Sequence, residues 1–465
     1  MVARWWLIGV AVVAILLAVT VARPRPTPGP LLRDFEAYWS AGVAWDAGAD
    51  PYGRAIWRAE SAVEGVDARR DELLPFVAPP ATLPLWGALA RLPFATAAAL
   101  WLACLVVALF ALVGAAVRLA RVPAAAISYG GALLLAASFG PVTSDLALGQ
   151  LALPAFAGAI CCVLLAEWST LAAAVAALVA FAQPNAALGL VSQLGRNRAT
   201  AAILIGALTA LLVGAIALGW TWPPRYAKIV GAHGLAERFV AIQITPAAVA
   251  YGLGAGSTGA ICVALACAIA TIAAAVAIWH RVPERFARFA AFSALAPFVA
   301  GFFHEHDLVV TYPAVIWCAL RTRNALHPVA LAASMLVAID WLGLAQRPTG
   351  TAQICLLAVA GASAFCALGE TVGPQLLTAA ASIGLLLGAA GVAAHAHPLP
   401  VWPDALGRFH ASAHAGAATV WFEEQRANGL LAVSPVAAAL RSLPLLGCAL
   451  LAYLIYRRSG YRRTA

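Results

Sequence analysis

The sequence predicts an all-α polytopic membrane protein: a bundle of about 12 spans plus a broken half-helix pair, with interfacial helices in the first outer loop. Three observations carry that prediction. Of 465 residues, 63% are hydrophobic and only 11% charged, with a mean hydropathy of +0.88; a soluble fold carries roughly a quarter charged residues. Apolar stretches long enough to cross roughly 30 Å of hydrocarbon recur from end to end. The runs are continuous rather than alternating, which excludes a β-barrel and leaves helices, the other structure that satisfies its own backbone in lipid.

The first span covers roughly Trp5 to Val21 and is followed by Arg23-Pro24-Arg25-Pro26. It lacks a clear small-x-small cleavage site and reads as an uncleaved anchor with a cytoplasmic N-terminus. Further spans are expected at 96–117, 124–140, 150–166, 201–219, 258–279, 287–303, 308–320, 327–345, 351–369, 374–394 and 434–456. Between 169 and 195 an apolar stretch is broken by Gln183-Pro184-Asn185. Two half-helices entering and leaving on one side bring the basic loops together: Arg118/Arg121, Arg196/Arg198, Arg281 with Arg285, Arg321/Arg323 and the tail Arg457-Arg458 with Arg462-Arg463. All then face the cytoplasm under the positive-inside rule. A single full span there would invert everything that follows.

On this topology segments 23–95, 220–257 and 395–433 face away from the cytoplasm. The net charge of +9 then reflects span-end arginines rather than a nucleic-acid surface. Segment 23–95 places Trp39, Trp45, Trp57 and Trp86 among small residues, a composition suited to interfacial helices. The nine cysteines all fall in apolar runs and read as small fillers rather than a disulfide framework or a zinc site. The chain divides into 1–325, which carries the polar constellations, and 326–465, which adds spans and the outer loop 395–433. Walker, GxSxG and HExxH motifs are absent, so ATPase and hydrolase readings find no support.

Two constellations carry chemistry. In the first loop, Asp34 and Tyr38 share a helix face at i, i+4, with Glu36 between them and Tyr52 beyond. Asp34 serves either as an acidic helix start or as a general base within reach of an acceptor hydroxyl. The second is His304-Glu305-His306-Asp307 at the outer end of a span, where ionisable groups are costly and are functional candidates. Its roles are phosphate or catalytic contacts, helix-end capping, or metal ligation, although the spacing matches no strong zinc motif. Weaker candidates for binding a polar headgroup are Gln150, Gln183 and Asn185. Arg225 and Lys228 offer cations to a lipid phosphate. His395, His397, His410 and His414 are scattered and read as surface histidines.

The run Asp34-Phe35-Glu36-Ala37-Tyr38-Trp39-Ser40-Ala41-Gly42, with Gly48-Ala49-Asp50-Pro51-Tyr52, resembles glycosyltransferase family 87. These are polyprenol-phosphate-sugar-dependent enzymes of the GT-C superfamily, such as mycobacterial mannosyl- and arabinofuranosyltransferases. Phe76-Val77-Ala78-Pro79-Pro80 with Leu92-Pro93 and Trp101, then Gly149-Gln150, then His304–Asp307 resemble later elements of that family in order. The likeness covers about 10–310. The family usually has Lys-Pro where this chain has Gln183-Pro184, so either donor binding differs or Arg225 or Lys228 supplies the missing charge. The resemblance implies a GT-C-like bundle and an inverting transferase in the bacterial cytoplasmic membrane, working on its outer face. It implies a polyprenyl-phosphate-linked donor, mannose-like by analogy, a glycolipid or envelope-glycan acceptor, and neither cofactor nor metal. Asp34 would be the base, with His304 and His306 stabilising the phosphate leaving group, and Glu36, Tyr38, Tyr52, Gln150, Gln183, Asn185, Arg225, Lys228 and Asp307 contacting substrates. Two other readings are a polytopic lipid or glycan flippase, which favours paired helix breaks in both halves, and a non-catalytic assembly subunit.

Overall fold

A computed structural model of the chain describes residues 2–21, 32–66, 74–121, 126–341, 351–369, 378–379, 381–382, 384–386, 409–412 and 414–460. Every regular element among them is helical: α1 (Val2–Val21), α2 (Arg33–Asp46), α3 (Ala55–Glu60), α4 (Leu83–Ala90), α5 (Phe94–Leu119), α6 (Ala126–Ala137), α7 (Gly140–Leu148), α8 (Ala152–Leu165), α9 (Thr170–Ala180) and α10 (Pro184–Ala187). There follow α11 (Asn197–Leu218), α12 (Trp222–Glu237), α13 (Pro246–Gly252), α14 (Gly256–Arg281), α15 (Arg285–Ala294), α16 (Tyr312–Arg321), α17 (Leu326–Ala338), α18 (Thr351–Leu368), α19 (Ala417–Ala427) and α20 (Pro435–Gly460).

Five helices, α1, α5, α11, α14 and α20, are long and apolar enough to cross a membrane. The pair α6–α7 adds one if its 63° bend is taken within a single span. The expectation of about twelve spans therefore exceeds what helix length alone supplies among the described residues. Helices α8, α9 and α17 have 14, 11 and 13 residues, or about 16–21 Å at 1.5 Å per residue. The regions expected to span at 287–303 and 308–320 are a ten-residue α15 and a ten-residue α16 with 3₁₀ turns between them. The non-helical backbone at 303–305 is tolerated because protein surrounds it, with Phe303, Glu305 and Asp307 buried. Most of the expected span 374–394, together with Arg23, Arg25, His395, His397, Arg462 and Arg463, lies outside the described residues.

The bundle has two chemically distinct ends, linked by α5, whose 26 residues span about 39 Å. At one end Phe94 packs on Phe35 of α2, centroids 5.7 Å apart. The other end gathers the arginine loops. Arg321 donates to the Ala120 carbonyl at 3.3 Å, and Arg458 to that of Arg321 at 3.2 Å. Arg198 reaches the Glu167 carbonyl at 2.9 Å, Arg285 bonds Gln193 at 2.9 Å, and Arg281 meets the Tyr456 hydroxyl at 3.3 Å.

The 169–195 stretch starts and finishes at this arginine end. Helix α9 leaves it at Ser169, whose hydroxyl caps the helix by accepting from Ala172 N. The chain turns at Gln183, with Pro184 at the first position of α10 where its missing N–H costs nothing. It returns through a 3₁₀ stretch to Gln193 beside Arg285.

The described part of the first loop, 32–66 and 74–95, is packed around an aromatic core. Phe35, Ala41 and Trp86 are fully buried, and Tyr38 stacks on Trp86 at 4.9 Å and 14°. Helices α2 and α4 approach so closely that a Cβ on Gly42 would overlap the Trp86 carbonyl. Only glycine permits that crossing.

Candidate functional site

At the end opposite these arginine loops, four chain segments bring their polar residues together. Asp34, one residue into α2, is half-buried. Gly149 ends α7 with a positive φ of 77°, and its carbonyl accepts from Trp101 Nε1 at 2.8 Å, which fixes the entry to α8. Gln150, next along, donates through Nε2 to Asp34 Oδ2 and accepts from the Tyr38 hydroxyl at 2.9 Å. Gln150 therefore orients the carboxylate from one side, while the i, i+4 geometry of α2 places Tyr38 on that same face.

Asp307 opens the 3₁₀ turn that leads to α16. One of its oxygens accepts from Gln183 at the helix break, and the other accepts from His304 N at 2.9 Å. Asn185 Nδ2 donates to the Phe302 carbonyl at 2.9 Å. The break thus holds the 302–307 loop in place, an account of Gln183 and Asn185 in which neither amide simply satisfies its own loosened backbone. The rings of His304 and His306 stack at 5.2 Å and 23°.

Behind His304 lies a carboxylate that sequence reasoning missed. Glu237, the last residue of α12, is 2% exposed. It meets His233 Nε2 at 2.9 Å and His304 Nε2 at 3.3 Å, and accepts from Gln243 Nε2 at 2.6 Å and Trp421 Nε1 at 2.7 Å. Gln243, Phe303 and Ile244 interlock, with Phe303 N donating to Gln243 Oε1 at 2.7 Å and Ile244 N to the Phe303 carbonyl at 2.6 Å. Arg441 of α20, itself buried, donates to the carbonyls of Val240 and Gln243 at 3.2 and 3.1 Å. The C-terminal third therefore supports the site through Trp421 and Arg441 as well as adding spans. Each of these residues stands alone in sequence, with no motif around it.

The site is electrostatically tight. Burial raises the Asp34 carboxyl above its ordinary value, against the opposing effects of Gln150, Arg33 and His304. Burial also lifts Asp307, to about 6, with the His304 charge pulling the other way. Burial alone would raise Glu237, but the charges and hydrogen bonds of His233 and His304 hold it well below the usual range. Burial depresses His304, yet Glu237, Asp307 and Asp34 together carry it above its ordinary value. His306 is driven well below by burial and by the His304 charge. The arrangement sets a half-buried carboxylate near one imidazole whose neighbours favour its proton and one whose neighbours disfavour it, the ingredients of a base facing a developing anion.

Other candidates fall elsewhere. Glu36, two residues from Asp34, projects from another face of α2 and is buried, where its charge acts on Glu60 with that of Glu424. The Tyr52 hydroxyl is committed to the Ala78 carbonyl at 2.8 Å, and its ring packs on Phe76 at 5.0 Å. Arg225 is exposed and pairs with Asp50 at 2.8 Å, and Lys228 is exposed. Neither cation touches Asp34, His304 or Asp307; the positive groups acting on Asp34 are Arg33 and His304. His410 and His414 are exposed. A metal would find His304, His306 and Asp307 with ligand atoms within 4.8 Å of one another. That set competes with the bonds Asp307 and His304 already make. No protein-family model, curated protein or solved structure matches the chain.

Proposed function

We propose that the protein is an inverting glycosyltransferase that moves a sugar from a polyprenyl-phosphate donor to a lipid-linked or envelope-glycan acceptor. One observation carries the reading: Asp34, oriented by Gln150, stands at the same end of the bundle as His304 and Asp307, away from the arginine end. By the positive-inside rule the arginines mark the cytoplasm, so the chemistry belongs to the extracytoplasmic face of a bacterial cytoplasmic membrane. The sugar is mannose-like by family resemblance alone.

In this reading Asp34 takes the proton from the acceptor hydroxyl as its oxygen attacks the anomeric carbon. The bond from that carbon to the donor phosphate breaks, and its electron pair leaves with a phosphate monoester. A carboxyl raised by burial is a base better matched to neutral pH than an ordinary aspartate. His304, whose hold on its proton Glu237 strengthens, is placed to stabilise the charge that appears on the phosphate. Gln183 and Asn185 hold the loop that presents it. Arg225, paired with Asp50, and the exposed Lys228 are assigned no step in this reading.

The flippase reading draws on the interrupted helices. Among the described residues the helices are interrupted at 138–139, at Gln183 and again between α15 and α16, so breaks occur in both halves and do not separate the two readings. Incubating the purified protein with labelled polyprenyl-phosphate sugars, wild type against Asp34→Asn, tests the proposal. Wild-type transfer that Asp34→Asn abolishes supports it. A folded wild type that transfers from no donor overturns it.

A further inference from the structure

We infer that Glu237 is a positioning residue that fixes the orientation and charge of His304, turning it into an oriented cation for a phosphate monoester. The inference deepens the reading of the same site and rests on it for the identity of the anion. Four donors converge on this one buried carboxylate: His233, His304, Gln243 and Trp421. A carboxylate so surrounded stays ionised, because each donor repays part of its desolvation.

Among the four, the His304 side chain is 19% exposed whereas that of His233 is 5% exposed. The charge of Glu237 is thereby delivered to the open side through His304. Imidazole nitrogens lie on different edges of the ring, so engaging Nε2 with Glu237 leaves Nδ1 to address a ligand. This is the logic by which a carboxylate fixes a functional histidine. Stacking on His306 limits rotation of the ring.

Gln243 completes the device. Its carboxamide is oriented by accepting from Phe303 N, so its Nε2 faces both Glu237 and His304 Nε2, the latter at 2.8 Å. In the neutral ring Nε2 accepts from Gln243 at 2.8 Å; protonating that nitrogen turns it toward Glu237 and requires the Gln243 NH2 to swing away from it, onto Glu237 alone. The titratable groups facing His304 are Glu237 from α12, Asp34 from α2, and Asp307 and His306 from its own loop; His233 faces Glu237. Three of the four around His304 are carboxylates, and Glu237 is the one bonded to the ring.

Full-length protein labelled with ¹³C at histidine Cε1, titrated by NMR in detergent, tests this directly, with the His304 signal identified by its loss in His304→Gln. In the wild type that signal should titrate above the ordinary value of 6.5. In Glu237→Gln its proton affinity should fall about tenfold or more, and binding of a short-chain prenyl monophosphate at pH 7 should weaken at least about fivefold, the scale of a lost charge-assisted partner. Glu237→Asp, which keeps the charge but withdraws it by one methylene, should fall between, and it serves alone if Glu237→Gln does not fold. An unchanged His304 titration in either folded variant overturns the inference. Failure of the wild type to transfer sugar would count against the transferase reading and leave this titration readable.

Discussion

Asp34→Asn is the perturbation that separates chemistry from architecture. The substitution keeps size and shape, and the asparagine carbonyl can still accept from Gln150 Nε2, so the Gln150–Tyr38 bond at 2.9 Å survives. What changes structurally is that one charge-assisted hydrogen bond becomes neutral, worth about 1 kcal/mol, partly offset by no longer burying a charge. A lost general base costs about 10²–10⁴ in rate, or roughly 2.7–5.4 kcal/mol of barrier. The rate loss should exceed the structural cost several-fold. It should appear in kcat with the donor KM nearly unchanged, because the carboxylate acts on the acceptor proton. The assay is single-turnover transfer from a labelled polyprenyl-phosphate sugar, with thermal melting measured alongside. An Asp34→Asn protein that melts normally and keeps more than about a tenth of the wild-type rate would refute the general-base role.

Gln150→Leu should lower kcat by about tenfold to a hundredfold, since one oriented hydrogen bond to a charged group is worth about 1.5–3 kcal/mol; an unchanged rate would mean that Asp34 is positioned otherwise. Transfer should rise with pH as the burial-raised Asp34 carboxyl ionises and fall again as His304, held above its ordinary value, loses its proton; a pH–rate profile of kcat checks both limbs, and Glu237→Gln should move the upper limb to lower pH. Exhaustive chelation should leave the rate within about twofold, because the charge on the phosphate is met by His304 in this reading; loss of activity restored by one divalent metal would reassign His304, His306 and Asp307 as ligands. Gly42→Ala should destabilise by about 1–3 kcal/mol as α2 is forced away from α4, read as a lower melting temperature in detergent; a wild-type melting curve would show that the two helices separate without cost.

Much of the architecture was legible locally. The helical class follows from continuous apolar runs, and the break at Gln183-Pro184-Asn185 is a proline placed where a helix can only restart. The gathering of arginine loops at one end follows from the alternation of spans between them. The number of long helices was not legible, because hydropathy reports apolar length and not helix continuity: 287–320 is apolar almost throughout yet contains two short helices with 3₁₀ turns around a polar loop. The packing of the described part of 23–95 around Trp86 was likewise beyond what composition reports.

By itself the sequence determined the membrane class, the two polar constellations at Asp34 and His304–Asp307, and the candidacy of Gln150 and Gln183. Each of these is marked by a polar residue standing out against an apolar run. Only the tertiary structure decided who touches whom: Gln150 on Asp34, Gln183 on Asp307, Arg225 on Asp50 at the surface, and Glu237 under His304 with Trp421 arriving from 184 residues away. A buried charge is stable only when donors from several segments converge on it, and no local pattern in a chain records that convergence.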